Sequence, residues 1–172
     1  MKVFGLAGWS GSGKTTLVVR LLPELTGRGL AVSTIKHAHH GFDIDTPGKD
    51  SYAHRKAGAR EVLVSSGQRW ALMHEHRGAP ESDLAQLIGH MAPVDLVLVE
   101  GFKADSYDKL EVHRPSVGKP LLRDTDESIV AVASDQALPS LALPVFDLDD
   151  IPAIADFIIV HCGLDGVRRG TA

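Results

Sequence analysis

Short apolar runs alternate with amphipathic stretches along the whole of this 172-residue chain. Apolar runs between turn residues are typical of buried strands, whereas apolar side chains at helical spacing are typical of helices that face a core. The predicted strands lie at residues 3–7, 30–35, 96–99, 110–112, 129–133 and 145–148, and the predicted helices at residues 14–25, 50–57 and 151–161, with a further helical stripe of Leu84, Leu87, Ile88 and Met91. This alternation predicts an α/β fold with a mostly parallel sheet flanked by helices.

Two features interrupt the alternation. Residues 61–66 and 69–74 are both rich in strand-forming side chains and are separated only by Gly67 and Gln68, which predicts an antiparallel β-hairpin. An isolated hairpin is marginally stable in water, so we expect this insertion, at about residues 61–75, to dock on another surface. Pro23 falls inside the first predicted helix, and because proline removes a helix hydrogen bond it is expected to kink or end that helix.

The composition is that of an ordinary globular protein. Hydrophobic residues make up 44% of the chain, the formal net charge is −4, and Cys162 is the single cysteine. The acidic balance argues against nucleic acid as a partner, because a phosphate backbone attracts basic surfaces. No apolar run reaches the ~18 residues that a membrane-spanning helix needs. We expect a single cytoplasmic domain over residues 1–165, with a frayed tail at residues 166–172.

A glycine-rich segment, GWSGSGKT at residues 8–15, follows the first predicted strand and opens the first predicted helix. It matches the P-loop pattern G-x-x-x-x-G-K-[ST] in the strand-to-helix context that the motif requires. Glycines let backbone N–H groups close around phosphate oxygens, the lysine adds a charge for the β- and γ-phosphates, and the threonine hydroxyl can ligate Mg²⁺. The predicted nucleotide-binding residues here are Gly8, Trp9, Ser10, Gly11, Ser12, Gly13, Lys14, Thr15 and Thr16. We therefore expect a P-loop NTPase-like fold.

A second acidic group is needed to hold the metal ion or its water, and two carboxylates flank the predicted strand at residues 96–99. Asp95 opens that strand and Glu100 closes it, which separates them by ~16 Å in an extended chain. Ligands bind at the carboxyl ends of parallel strands, so Glu100 is predicted to lie beside the P-loop and Asp95 to be a solvated residue. With Lys14, Glu100 is the candidate catalytic residue; the alternative is a carboxylate that caps a turn.

The chain contains no asparagine, so the N-K-x-D segment with which many P-loop proteins recognise guanine is absent. A carboxylate alone can still accept hydrogen bonds from the N–H donors of guanine. The predicted strand at residues 129–133 is followed by Ser134 and Asp135, at the sheet edge where a nucleotide is expected. Asp135 is thus the candidate for recognising the base, and the alternative is an ordinary helix-cap or turn aspartate.

Three histidines, His37, His39 and His40, fall in a polar segment at residues 36–49 that has no clear periodicity. Long irregular segments in compact domains are usually functional. Three such ligands could indicate a zinc site, but they are crowded into one loop with no cysteine nearby. A structural role, or a role beside the phosphates, is the alternative that we favour.

Taken together, these motifs resemble the molybdopterin-guanine dinucleotide biosynthesis protein B family (MobB), over residues 3 to about 161. The resemblance rests on the P-loop and on six further segments that follow in order. These are IKHAHH with DID (residues 35–40 and 43–45), PGKDS (47–51), RKAGA (55–59), QRWALM (68–73), DLVLVEGFK (95–103) and AVASD (131–135). The K-H-x-H-H and P-G-K-D-S patterns are far more specific to the family than the P-loop is.

The resemblance implies a dimer that binds GTP and Mg²⁺ and hydrolyses GTP weakly. Such a protein assists the guanylyltransferase that converts molybdopterin to molybdopterin guanine dinucleotide, the dinucleotide form of the molybdenum cofactor. The loop after the second strand then acts as a switch, so Asp45 and Asp50 become candidates for contacts to the metal or the phosphates. With Thr15 and Glu100, which the motifs indicate, Asp45 completes the candidate metal site.

Two further surfaces concern partners. Arg55, Arg60 and Arg69 could hold the phosphate of a molybdopterin molecule through paired N–H donors, or could be ordinary surface charges. The hairpin carries more apolar side chains than an isolated hairpin should expose, namely Val62, Leu63, Val64, Trp70, Leu72 and Met73. Because an unpaired strand edge also invites pairing with a second copy, the hairpin is predicted to form a homodimer interface.

The alternative function is that of a P-loop small-molecule kinase. It would use the same P-loop, Mg²⁺ and carboxylate, but it also needs an acceptor pocket and usually a lid that carries arginine. No separate lid is evident in the sequence. A scaffold with a degenerate nucleotide site is disfavoured because Lys14, Thr15 and Glu100 are all present.

Overall fold

The computed structural model describes residues 1–38, 41–102 and 105–166. They divide into two compact units, one built from residues 1–37 together with those from 92 onwards, and the other from residues 38–91. The second unit is wider than the insertion predicted at residues 61–75. The tail at residues 167–172 lies outside the described residues. No helix of the described part is long and apolar enough to cross a membrane.

Eight strands and four helices form the regular structure of the described chain. The strands are β1 (Lys2–Ala7), β2 (Val32–Lys36), β3 (Glu61–Ser65), β4 (Trp70–His74), β5 (Leu96–Glu100), β6 (Lys109–His113), β7 (Ile129–Ser134) and β8 (Val145–Asp147). The helices are α1 (Lys14–Gly27), α2 (Asp50–Lys56), α3 (Leu84–Gly89) and α4 (Ile151–His161), with short 3₁₀ turns at Pro115–Val117 and Leu122–Asp124.

The first unit contains a six-stranded sheet in the order β2-β5-β1-β6-β7-β8. Every neighbouring pair of strands in it is parallel, which confirms the predicted α/β fold. The apolar runs that predict β1 and β5 are continuous because these central strands are buried, as parallel strands usually are. On one face, the buried leucines of α1 and the buried isoleucines of α4 pack against the sheet in a single core.

Helix α1 continues through Pro23 and ends at Gly27. Of the two outcomes predicted for this proline, a kink or an end, the helix therefore does not end there. Pro23 lies near the end of the helix, and Leu17, Leu21 and Leu25 are buried on both sides of it. Burial of three leucine side chains, at about 1.5–3 kcal/mol each, outweighs the loss of one helix hydrogen bond.

Asp95 is not merely a solvated residue at the start of β5. Its carboxylate accepts a hydrogen bond of 2.8 Å from the backbone N–H of Ala31. The backbone N–H of Asp95 in turn donates to the carbonyl of Ala31 at 3.0 Å. Asp95 therefore fixes the entry into β2, which begins at Val32 rather than at the predicted residue 30.

The second unit contains the predicted hairpin, in which β3 and β4 pair antiparallel from Glu61 opposite His74 to Ser65 opposite Trp70. One face carries Val62, which is buried, and α2 packs beside β3. The predicted docking of the hairpin thus takes place, within this unit, against α2. A capping box at Asp83 begins α3, although this helix is shorter than the predicted stripe from Leu84 to Met91.

Candidate nucleotide-binding site

The strand register places the predicted site residues of the first unit at one edge of the sheet. Glu100, the last residue of β5, lies opposite Leu6 of β1 on one side and opposite Lys36 of β2 on the other. The P-loop begins just after β1. The P-loop, Lys36 and Glu100 therefore meet at the carboxyl ends of three adjacent parallel strands, which is where open α/β sheets bind their ligands.

The P-loop has the backbone that a phosphate cradle needs. Gly8, Gly11 and Gly13 have φ values of 147°, 81° and 101°, a region that favours glycine. A Cβ atom on Gly8 would lie 2.6 Å from the carbonyl oxygen of Val112, so no side chain fits there. Gly13 precedes α1, and no side chain caps the first N–H groups of this helix. These donors and the helix dipole suit an anion.

Lys14 lies along this loop. Its Nζ donates to the carbonyl oxygens of Gly8 at 2.9 Å and of Trp9 at 3.0 Å. Trp9 is itself held in place, because its indole N–H donates to the carbonyl of Pro120 at 2.8 Å and Lys119 lies over its ring. The start of the loop is thus tethered at Trp9, with the ammonium group of Lys14 beside its backbone.

Thr15 and Glu100 provide oxygen atoms of the kind that bind Mg²⁺. The Thr15 hydroxyl lies 3.4 Å from both carboxylate oxygens of Glu100, and Nζ of Lys36 lies 3.7 Å from Oε1 of Glu100. These groups line a cavity of about 450 Å³, and its other lining residues are Ser10, Gly11, Gly13, Lys14 and Thr16. Lys36 was not singled out from the sequence; only the pairing of β2 with β5 reveals it.

The chain after β5 turns sharply beside His37. Gly101 has a φ of 105°, and a Cβ atom there would lie 2.5 Å from Cβ of His37. The ring of Phe102 packs on the imidazole of His37 at 4.8 Å between ring centres. His37 therefore packs against the turn that follows Glu100, in agreement with a structural role.

No group of three or more potential ligand side chains of the His, Cys, Asp and Glu types is placed to hold a metal ion within residues 1–38, 41–102 and 105–166. His39 and His40 lie outside the described residues. The described part of the chain therefore offers nothing in support of the zinc alternative.

Asp45, the third predicted metal ligand, belongs to the second unit. Its carboxylate accepts a hydrogen bond of 2.6 Å from Nη2 of Arg55, which also lies 2.8 Å from Asp43 and, through Nη1, 3.4 Å from Glu75. The hydrogen bond to Asp45 raises the pKa of Arg55 further above its usual value. Within its unit, the carboxylate of Asp45 thus pairs with the guanidinium of Arg55, and the role of Asp45 at the metal stays a prediction.

The same contacts distinguish Arg55 from the other two arginines that were considered for a pterin phosphate. Three carboxylates surround Arg55, and its side chain is only 12% exposed, so it serves the packing of its own unit. Arg69, by contrast, lines a separate cavity of about 320 Å³ with Lys49 and Ser51.

Asp135 follows β7, as predicted, at the same edge of the sheet as the P-loop. Its Oδ2 accepts a hydrogen bond of 2.6 Å from Nη1 of Arg114, and Nε of Arg114 donates to the carbonyl of Ser12 in the P-loop at 3.0 Å. A cavity of about 410 Å³ adjoins Asp135 and is lined by residues 134–139 and 145–147. Arg114 was not identified from the sequence, where it is one arginine among many.

Comparisons with known proteins identify the family of this chain. Residues 3–135 match the family model described as MobB, molybdopterin guanine dinucleotide synthesis protein B. The chain is 44% identical over 160 residues to the molybdopterin-guanine dinucleotide biosynthesis adapter protein of Escherichia coli (strain K12), covering 91% of both proteins. It is 43% identical over 157 residues to the adapter protein of the same name from Haemophilus influenzae, covering 91% of this chain and 86% of that protein.

Solved structures show the same fold. A crystal structure of molybdopterin-guanine biosynthesis protein B superposes with a TM-score of 0.74 at 28% identity and covers 92% of this chain and 99% of its own. The crystal structure of Bacillus subtilis MobB superposes with a TM-score of 0.72 at 26% identity, covering 94% and 98%. The resemblance seen in the sequence is therefore confirmed, and the chain belongs to the MobB family.

Proposed function

We propose that this chain is a GTP-binding, weakly GTP-hydrolysing adaptor that assists the guanylyltransferase converting molybdopterin to molybdopterin guanine dinucleotide. The role in molybdenum cofactor biosynthesis follows from the family. The observation that carries the nucleotide-dependent part is the meeting of Lys14, Thr15 and Glu100 around one cavity at the sheet edge. The adaptor part is supported by the names of the relatives from E. coli and H. influenzae.

The residues present fit a magnesium-bound nucleoside triphosphate. The P-loop backbone from Gly8 to Gly13 and the N–H groups that begin α1 would hold the phosphates, with Lys14 as the charge beside them. Thr15 and Glu100 would hold Mg²⁺, directly or through a bound water. The metal ion would neutralise charge on the phosphate oxygens when bound, while Lys36 keeps Glu100 oriented toward the cavity.

The preference for guanine is assigned to Asp135. Its carboxylate lies at the edge of a cavity of about 410 Å³, next to the P-loop and on the same side of the sheet. A carboxylate pairs with the N–H donors of guanine and would face an acceptor in adenine, so a base without those donors is penalised. Asp135 thus supports GTP over ATP as the nucleotide.

The phosphate at which each reaction takes place indicates which protein carries it out. A P-loop with Lys14 and Thr15 favours reactions at the β- and γ-phosphates. Transfer of GMP to molybdopterin requires attack at the α-phosphate. We therefore assign the transfer of GMP to the partner enzyme and nucleotide-controlled assistance to this chain. We place this activity in the cytoplasm, and molybdopterin is the candidate for a second ligand.

The hairpin supports a homodimer. Leu63, Trp70 and Leu72 share one face of β3 and β4 and are 59%, 64% and 40% exposed. Within the described residues, this sheet has two strands only, so neither outer edge pairs with a third strand there. A second copy that covered this face would bury apolar side chains that a monomer leaves in water.

The deciding experiment incubates the purified chain with GTP, Mg²⁺ and molybdenum-loaded molybdopterin, with and without the guanylyltransferase. We expect no dinucleotide from the chain alone and a higher yield with both proteins at limiting GTP. Lys14→Ala, which removes the charge of the phosphate cradle, should abolish the gain.

Two other results would contradict the proposal. Dinucleotide formed by the chain alone would make it the transferase. No binding to the transferase and no change in its yield would favour the small-molecule kinase instead, which a screen for phosphorylated acceptors would then test.

A further inference from the structure

We propose that Arg114 is a positioning residue that sets guanine specificity, by fixing the carboxylate of Asp135 at a set distance from the phosphate-binding loop. This inference rests on the proposed GTP site and names a residue that determines its base preference. Arg114 would touch neither the phosphates nor the base in order to act. It would act through Asp135 on one side and through the backbone of the P-loop on the other.

The register of the sheet brings the two residues together. β6 pairs with β7 from Lys109 to His113, and the last pair is His113 opposite Ser134. Arg114 directly follows β6 and Asp135 directly follows β7, so the two residues lie side by side where these strands leave the sheet. β6 also pairs with β1, whose last residue, Ala7, lies opposite Glu111. The P-loop, Arg114 and Asp135 therefore follow three adjacent parallel strands.

The guanidinium of Arg114 joins these segments. Nη1 donates to Oδ2 of Asp135 at 2.6 Å, and Nε donates to the carbonyl of Ser12 at 3.0 Å. Gly13 faces the same group, because a Cβ atom there would lie 3.4 Å from Nε. The planar guanidinium can hold both acceptors at once in a fixed geometry, which a single ammonium group cannot do.

The ion pair with Arg114 leaves the carboxylate of Asp135 able to accept further hydrogen bonds. Only Oδ2 of Asp135 accepts from Arg114, and a carboxylate has about four lone-pair sites on its two oxygens. Oδ1 and the remaining lone pairs stay available for the donors of a guanine ring. The side chains of Arg114 and Asp135 are 35% and 31% exposed, so a ligand can reach the pair.

Base recognition of this kind depends on distance. When the P-loop holds the phosphates of a nucleotide, the ribose and the α-phosphate set the distance from the loop to the base. A carboxylate that is free to rotate loses part of its preference for guanine, because ordering a flexible side chain on binding costs free energy. Arg114 removes that cost by holding Asp135 relative to Ser12.

The test measures, by calorimetry, the affinities of the full chain for GTP, ATP and inorganic tripolyphosphate, each with Mg²⁺ at one fixed salt concentration. Arg114→Ala should weaken GTP binding by about three- to tenfold, as expected when the carboxylate of Asp135 must be ordered on binding, and should change tripolyphosphate binding by less than about twofold. Arg114→Lys should restore part of the preference for GTP over ATP, since it keeps the charge but not both contacts.

Two further variants separate positioning from folding. Asp135→Ala combined with Arg114→Ala should lose no more preference for GTP than Asp135→Ala alone, since Arg114 acts through Asp135. Arg20→Gln is the matched control: Arg20 pairs with Asp149 elsewhere in the same unit, and its loss should leave all three affinities unchanged. Thermal melting of each variant confirms that it is folded.

The outcomes distinguish this inference from the proposed function. An equal loss of affinity for all three ligands would overturn it and place Arg114 at the phosphates. An unchanged ratio of GTP to ATP affinity in folded Arg114→Ala, with the ratio lowered by Asp135→Ala, would overturn the role of Arg114 alone. A wild-type chain without preference for GTP over ATP would overturn both this inference and the assignment of Asp135.

Discussion

At the scale of single residues, Glu100 shows how the sheet brings side chains from separate segments of the chain into contact. It ends β5, and its carboxylate meets the hydroxyl of Thr15 from α1 and the ammonium of Lys36 from β2. The ammonium group of Lys36 lies beside one oxygen of this carboxylate, and the Thr15 hydroxyl adds a neighbouring oxygen of the kind that a divalent cation binds. Neither contact can be made unless β1, β2 and β5 are in register.

Glu100→Gln is expected to leave GTP binding largely intact and to slow hydrolysis by about 10²-fold or more, since loss of a preorganised charge costs several kcal/mol in the transition state. Hydrolysis is measured as phosphate release at saturating GTP, and binding by calorimetry. Asp95→Asn, at the other end of the same strand, is the control and should retain turnover. Wild-type turnover in Glu100→Gln would move the metal-binding role to Asp45 or Asp50.

A buried charge in the first unit gives a prediction on stability. The side chain of Lys109 is 1% exposed, and its Nζ lies 3.2 Å from Oδ2 of Asp126. Burial alone would raise the pKa of Asp126, but hydrogen bonds from Ser128 and Lys109 outweigh it and hold that pKa below its usual value. A lowered folded pKa stabilises the protein above the unfolded pKa, and this stabilisation is lost as the pH falls through the folded pKa.

Asp126→Asn should therefore lower the free energy of unfolding by about 1–3 kcal/mol at pH 7, and the difference from wild type should shrink below about pH 4. Urea unfolding at several pH values measures this difference. The exposed Asp124 offers the control variant Asp124→Asn, which should behave as wild type. A difference that stays constant down to pH 3 would show that the ion pair is not responsible.

Much of the site could be predicted from residues alone, and the missing parts share one physical cause. The P-loop and Glu100 carry local signals, namely a glycine pattern and a carboxylate that closes an apolar run. Lys36 and Arg114 carry none. Each acquires its role only from the strand that lies next to its own. The order of strands in a parallel sheet cannot be predicted from a local sequence pattern, because long crossovers connect the strands.

At the scale of elements, the apolar runs located every strand of the sheet, but not their ends. β2 starts at Val32 because the backbone N–H of Ala31 donates a hydrogen bond to the carboxylate of Asp95. This contact joins segments that are far apart in sequence. α4 matches its predicted bounds because its start is marked locally: Asp150 accepts from the backbone N–H of Ala153, and Pro152 lies in the first turn. Ends set by local signals could thus be predicted, and ends set by tertiary contacts could not.

The hairpin is the element on which dimerisation should depend. Leu63 lies directly opposite Leu72, and burying each side chain at an interface is worth about 2 kcal/mol. The variant with both Leu63→Lys and Leu72→Lys should therefore be monomeric at micromolar concentrations at which the wild-type chain is a dimer, as measured by light scattering.

Val160 provides the control for this experiment, because it is 68% exposed but belongs to α4 in the first unit. Val160→Lys should remain dimeric. A wild-type chain that is monomeric at micromolar concentration would rule out the dimer, and a dimeric double variant would place the interface elsewhere.

At the scale of the whole molecule, the chain combines the proposed nucleotide site in one unit with an exposed apolar hairpin in the other. The first unit carries the groups assigned to the phosphates, the metal and the base, whereas the candidates Asp45 and Asp50 belong to the second unit. The predicted switch segment, residues 36–49, begins at Lys36 beside Glu100 and continues into the second unit, where Asp43 and Asp45 hold Arg55. One continuous segment of chain thus links the nucleotide site to the acidic cluster.

An adaptor controlled by GTP should bind the guanylyltransferase differently in its different nucleotide states. We expect tighter binding of the immobilised transferase with GTP and Mg²⁺ than with GDP or without nucleotide, by about fivefold or more, the usual lower range of coupling between sites. Lys14→Ala should bind the transferase equally in all three conditions, since it cannot distinguish them, and Val160→Lys should behave as wild type. By the reciprocity of linked binding, the transferase should raise the affinity of the chain for GTP by the same factor. Equal binding of the wild-type chain in the three conditions would leave a constitutive adaptor, in which the P-loop site serves a purpose other than docking.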